Sequence, residues 1–194
     1  MCLRLRLPSI QAAIVAGLLA GCGGQSTIKP AEILDQRTGM TVGALQEPIE
    51  LVETTNLSMA GGKRASFAFL GPIEWDKSGD LSYGLWVHVA PGNDRQVGDI
   101  HARGTVTLIL DGGPLVLSPI DAPTAGSGPY QPIASWGQTA YFNLDVALLK
   151  RMAASQKFAL DFRAADQSVV EFLPSHETHT TLTQFAHARG ITGD

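Results

Sequence analysis

Apolar residues recur mainly at every second position along most of this chain, and turn-forming residues interrupt them roughly every 8–12 positions, which predicts short antiparallel strands. In 81–89 (LSYGLWVHV), Leu81, Tyr83, Leu85, Val87 and Val89 fall on one face, while Ser82, Gly84, Trp86 and His88 fall on the other. The first set is expected to face the core. In 105–111 (TVTLILD), Val106, Leu108 and Leu110 point one way, and Asp111-Gly112 then supplies residues that tolerate the positive φ of a hairpin turn. Pro114 to Ile120 reads as the returning strand. Phe67 and Phe69, followed by Gly71-Pro72, predict an earlier strand with a bulge or bend. Further strands are expected at 40–45, 48–54, 131–135, 139–144, 157–163 and 168–173.

Two segments change period. Asp145 is placed to cap a helix in which Val146, Leu149, Met152 and Ala153 share a face, and Ser175 to cap a second that carries Leu182, Phe185 and Ala186. The stretch 121–130 (DAPTAGSGPY) has loop composition. The pattern therefore predicts a mostly β fold: a single antiparallel β-sandwich, or a flattened barrel, with two short α-helices in the C-terminal part.

The amino terminus departs from this pattern. Arg4 and Arg6 are the only charges before Cys22, the segment Ile10 to Ala20 is apolar apart from Gln11, and Leu19-Ala20-Gly21-Cys22 follows. The apolar run suits the hydrophobic core of a signal peptide and is too short to span a bilayer, which takes about 20 residues. The four residues resemble the lipobox of bacterial lipoproteins. That resemblance implies cleavage between Gly21 and Cys22, diacylation of the Cys22 thiol, and two or three acyl chains that hold a protein stably at a membrane. It marks 1–21 as a signal peptide; the small and polar residues that follow, as far as Pro30 and Gln36, read as a flexible tether (22–36) before a folded domain (37–194). In proteins of this class an Asp after the cysteine favours inner-membrane retention; Gly23 stands there instead, which favours the periplasmic face of the outer membrane. The order TG-x-TV, PI-x-L, LGPIE, YGLWV and DGGPL along the mature chain also looks like that of small proteobacterial lipoproteins, a resemblance that implies a β-rich domain and carries no activity with it.

Composition narrows the partners. Loss of Arg4 and Arg6 would leave 12 basic against 18 acidic side chains, a surface unsuited to nucleic acid. Only Cys2 accompanies Cys22, and it would leave with the signal, so no disulfide is expected in the mature domain.

Candidate chemistry is sparse. His176, His179 and His187 project to one side of a helix, but His187 lies about 16 Å along the axis from His176. His176 and His179 alone could offer two imidazoles to a metal, although the zinc-protease pattern needs them four apart; a solvated helix face accounts for them as well. Trp86 beside His88 on the face opposite the Leu/Val set, with Trp136 and Tyr130 near loops, could form an aromatic platform for a glycan or peptidoglycan fragment, or could simply cover the ends of the core. Ser127, in Gly126-Ser127-Gly128, lacks the strand-turn-helix setting of a nucleophile elbow. Gly61-Gly62-Lys63 lacks the first glycine and the final Ser or Thr of a phosphate loop. Asp76, Asp80, Asp94 and Asp99 lack calcium-loop spacing. The function expected is thus non-enzymatic: a lipid-anchored envelope protein, with no cofactor beyond the lipid on Cys22, that binds another envelope component as an accessory subunit. A glycan-binding module and a metal-dependent enzyme on His176 and His179 are the alternatives.

Overall fold

The computed structural model describes residues 30–54, 66–92, 98–123, 128–175 and 178–191, without the side chains of residues 178 and 179. Gly21, Cys22 and the apolar segment before them lie outside the described residues, as do His176, the His179 side chain, Ser127, Asp94 and Gly61-Gly62-Lys63.

The described residues form eleven strands and two helices: β1 (Ala31–Asp35), β2 (Met40–Ala44), β3 (Ile49–Glu53), β4 (Phe67–Lys77), β5 (Asp80–Ala90), β6 (Val106–Leu110), β7 (Gly113–Val116), β8 (Pro119–Ile120), β9 (Gln138–Leu144), α1 (Val146–Ala154), β10 (Phe158–Arg163), β11 (Val169–Pro174) and α2 (Thr178–Ala188). All strand pairings are antiparallel and belong to one sheet, in the order β7-β6-β10-β11-β3-β4-β5-β9-β8, with β1 and β2 branching from β4. The sheet curls into a half-barrel. Its two margins meet along a single stretch of chain. Leu117 donates its N–H to Val106 of β6, and Ser118 accepts from Asn143 of β9, so the expected strand 114–120 is divided between opposite edges.

The hairpin chemistry follows the sequence closely. Ser78-Gly79 and Asp111-Gly112 each form a two-residue turn with positive φ at both positions, the geometry that suits the right-handed twist of the strands. Asp111 does more than turn the chain. Its Oδ1 accepts the N–H groups of Gln156 and Lys157, fastening the α1–β10 connection, and these bonds hold its carboxyl below the usual carboxylate range.

Asp145 caps α1 as expected, accepting the Leu148 N–H at 2.6 Å, and Leu149, Met152 and Ala153 are buried while Val146 stays exposed at the helix start. Ser175 does not cap α2. Its N–H and hydroxyl both donate to the Glu50 carbonyl, extending the β11–β3 seam, and α2 begins at Thr178. The end of α2 is a Schellman arrangement: Ile191 N–H reaches the Ala186 carbonyl, Gly190 N–H reaches His187, and Gly190 supplies the required φ of +68°. Leu182, Phe185 and Ala186 are buried as the pattern predicts. Among the described residues no helix is long and apolar enough to cross a membrane.

Two expectations are corrected. Residues 31–35 are not tether but strand β1, paired with β2, because Ala31, Ile33 and Asp35 find partners across a hairpin closed at Gly39. Residues 131–135 are not a strand; they belong to a segment that lies on the sheet instead of joining it.

Candidate functional site

The long pair β4 and β5 shows how that segment is held. Alternation predicts that one face of β5 is open, yet Tyr83 to Ala90 are buried without interruption. Cross-strand register places Phe69, Gly71, Ile73 and Trp75 of β4 on the same face as His88, Trp86, Gly84 and Ser82 of β5. Over this face runs the segment from Gly128 to Gly137 (GPYQPIASWG).

Tyr130 seats the segment at a break in the ladder. β3 pairs with the first part of β4 and β2 with the last part, and between them Leu45–Pro48 face Gly71-Pro72 without regular pairing. Pro72 has no N–H to offer there, which is why a proline is tolerated within the sheet. The Tyr130 hydroxyl fills the gap: it accepts the Leu45 N–H at 2.8 Å and donates to the Pro72 carbonyl at 2.9 Å. Its ring occupies the space that Gly71 leaves, since a Cβ on Gly71 would lie 2.2 Å from the ring. Burial drives the Tyr130 pKa far above its ordinary 10.

His88 makes the second attachment. Its Nδ1 lies 2.8 Å from Thr139 Oγ1, and its Nε2 accepts the Ala134 N–H at 3.4 Å. These contacts fit the neutral ring with its proton on Nδ1. Trp86 stacks on His88 with centroids 5.8 Å apart, and Tyr130 tilts against Trp86 at 5.2 Å. Gly137 lets the chain pass over the imidazole, because a Cβ there would meet the ring at 2.5 Å and the Val89 carbonyl at 2.7 Å.

The four residues expected to form an aromatic platform are therefore divided. Trp86, His88 and Tyr130 meet, but they are interior, and their faces are occupied by one another; the reading of all four as one exposed platform is corrected accordingly. Trp136 is separate and 63% exposed, with Ile133 beside it in sequence at 58%. What the arrangement offers outward is thus an apolar pair on a segment fixed at Tyr130 and Ala134. Its sequence signal was the Gly71-Pro72 break and the uncharged stretch from Ala122 to Leu144, not the aromatic residues of β5.

Burial also lowers the His88 pKa from its ordinary 6.5, which carries a prediction. Above pH 6.5 the ring is neutral folded or unfolded and contributes no pH dependence. As pH falls below 6.5 the unfolded chain takes up a proton that the folded ring resists, so stability declines. Urea midpoints at pH 7.5 and 5.5 should show this decline, and His88→Gln should reduce it; an unchanged slope in the variant would assign the effect elsewhere.

On the opposite face lies a second polar cluster absent from the sequence reading. Glu32, Gly43, Glu74 and Tyr83 form one cross-strand row over β1, β2, β4 and β5. Arg189, at the end of α2, lowers its guanidinium over Gly43, with Nη1 2.9 Å from Glu32 and 3.3 Å from Glu74. Burial and the neighbouring Glu74 raise the Tyr83 pKa above its ordinary 10. Asp161, facing Glu171 across β10 and β11, is likewise raised by burial and then by that neighbour. Among the described residues no three His, Cys, Asp or Glu side chains are grouped to hold a metal ion. No known protein family, curated protein or solved structure matches the chain.

Proposed function

We propose that this chain is a lipid-anchored protein of the bacterial envelope, acylated on Cys22, whose half-barrel binds another envelope component and catalyses no reaction. The observation that carries the reading is the coincidence of Arg4 and Arg6, the apolar run Ile10 to Ala20, and Leu19-Ala20-Gly21-Cys22. Gly23 favours the periplasmic face of the outer membrane.

The start of the domain supports a binding role. β1 pairs only with β2 among the described residues, and Ile33 and Leu34 on it are 45% and 61% exposed. A half-exposed apolar outer strand is a ready edge for a partner chain. It stands close to the tether, so a partner bound there would be held near the membrane.

Incorporation of labelled palmitate tests the anchor: the wild-type chain should take up label and Cys22→Ser should not, and label in the variant would refute the assignment. Photo-crosslinking from position 34 in cells tests the binding role. A discrete adduct is expected; recovery of the chain alone from repeated captures would sink it.

A further inference from the structure

We infer that the segment Gly128–Gly137 is a membrane-docking element that sets the apolar side chains of Ile133 and Trp136 into the headgroup layer of the bilayer holding the lipid anchor. The inference rests on the anchor reading above.

Tether length comes first. Because β1 begins at Ala31, only nine residues, Cys22 to Pro30, separate the acylated cysteine from the first strand, in place of fifteen. At ~3.3 Å per residue this stretch reaches about 30 Å at most. It therefore keeps the near surface of the globule, whose radius is roughly 20 Å, within about 30 Å of the headgroups, so the domain meets the membrane often.

The register shows that Trp136 can be on the face that meets it. Antiparallel steps lead from β1 to β2, β4, β5 and β9, placing Ala31 level with Gly84, and Trp136 two residues before the Gln138 that pairs with Val89. Seven residues along the strands and four strand spacings across give a separation of about 30 Å on a flat sheet, and less on a curled one. Cys22 and Trp136 can therefore occupy one plane.

The chemistry of the segment suits that plane. No charged residue occurs from Ala122 to Leu144, so entry into the headgroup layer costs no desolvation of charge, in a protein whose acidic balance would otherwise be repelled by anionic lipid. Tryptophan favours this interfacial depth, with its apolar ring inward and its N–H toward water. Tyr130 and His88 fix the segment to the sheet, so little ordering entropy remains to be lost on contact.

Trp136 is also a built-in probe, since the other two tryptophans, Trp75 and Trp86, are each 1% exposed. The acylated full-length protein, reconstituted into vesicles of phosphatidylethanolamine and phosphatidylglycerol containing a dibrominated lipid, should show strong quenching of tryptophan emission. In Trp136→Phe the remaining emission should be nearly indifferent to the bromolipid. Quenching of Trp136 by aqueous acrylamide but not by bromolipid, in protein that still sediments with the vesicles, would overturn the docking and leave the anchor standing. Shielding from both quenchers would assign the segment to a protein contact and also overturn it. Failure to sediment at all would remove the anchor and the docking together.

Discussion

Replacing Tyr130 with Ala should destabilise the domain by about 3–5 kcal/mol, the usual cost of removing a large aromatic from a core. That is a large share of the 5–15 kcal/mol typical of a folded domain, and it should lower the melting temperature by roughly 6–20 °C. Tyr130→Phe isolates the hydroxyl. It leaves the Leu45 N–H and the Pro72 carbonyl buried and without their shared partner, and should cost at least about 2 kcal/mol, since each orphaned buried group costs about 1–3. A midpoint for Tyr130→Phe within experimental error of wild type would mean that the ladder break is closed by something else.

Gly71→Ala provides the converse test. The new Cβ would overlap the Tyr130 ring, so the substitution should cost at least the ~1–3 kcal/mol usual for an overpacked core. In the Tyr130→Ala background the same change meets an emptied site and should cost far less. Non-additivity between the two in chemical denaturation is the signature of direct contact, and simple addition would refute it.

Removing Arg189 should have an effect of similar size. In Arg189→Met the Glu74 carboxylate, whose side chain is only 10% exposed in the wild-type fold, loses its cation, and breaking a buried pair from one side costs about 3–5 kcal/mol. The pair itself is not worth that much. Two carboxylates share Nη1, while Nε and Nη2 find no hydrogen-bond partner among the described residues, so desolvation offsets much of the attraction. Arg189→Met combined with Glu74→Leu should therefore recover most of the loss, as paired apolar replacements of buried ions commonly do. A double variant as unstable as the single one would show that Arg189 acts through packing on Phe185, whose ring lies 5.9 Å away, and not through charge.

These residues show how far local reasoning reaches. The Asp111-Gly112 turn, the Asp145 cap and the buried face of α1 depend on neighbours within four positions, and the sequence displays those neighbours side by side. Ser175 fails as a cap for a reason of the opposite kind. A carbonyl 125 residues away, on Glu50, competes for its hydroxyl and wins by closing the β11–β3 seam. The exposed platform expected from Trp86, His88, Tyr130 and Trp136 fails similarly. Alternation identifies the second face of β5 correctly, yet says nothing about what lies over it.

By itself the sequence determined the strand-rich class, most strand positions, the Asp111-Gly112 hairpin turn, and the amino-terminal pattern on which the anchor proposal rests, because each is written in residues a few positions apart. Tertiary structure alone decided that Ala31–Asp35 pair as a strand, that Gly113–Ile120 joins the margins of one curled sheet, and that Gly71 and Gly43 are seats for Tyr130 and Arg189. The physical reason is that a glycine seat, a ladder break and a covered face are properties of two segments at once. Tyr130 is 58 residues from Pro72, and Arg189 is 157 from Glu32. No periodicity along one segment can report what another, so distant, brings to meet it.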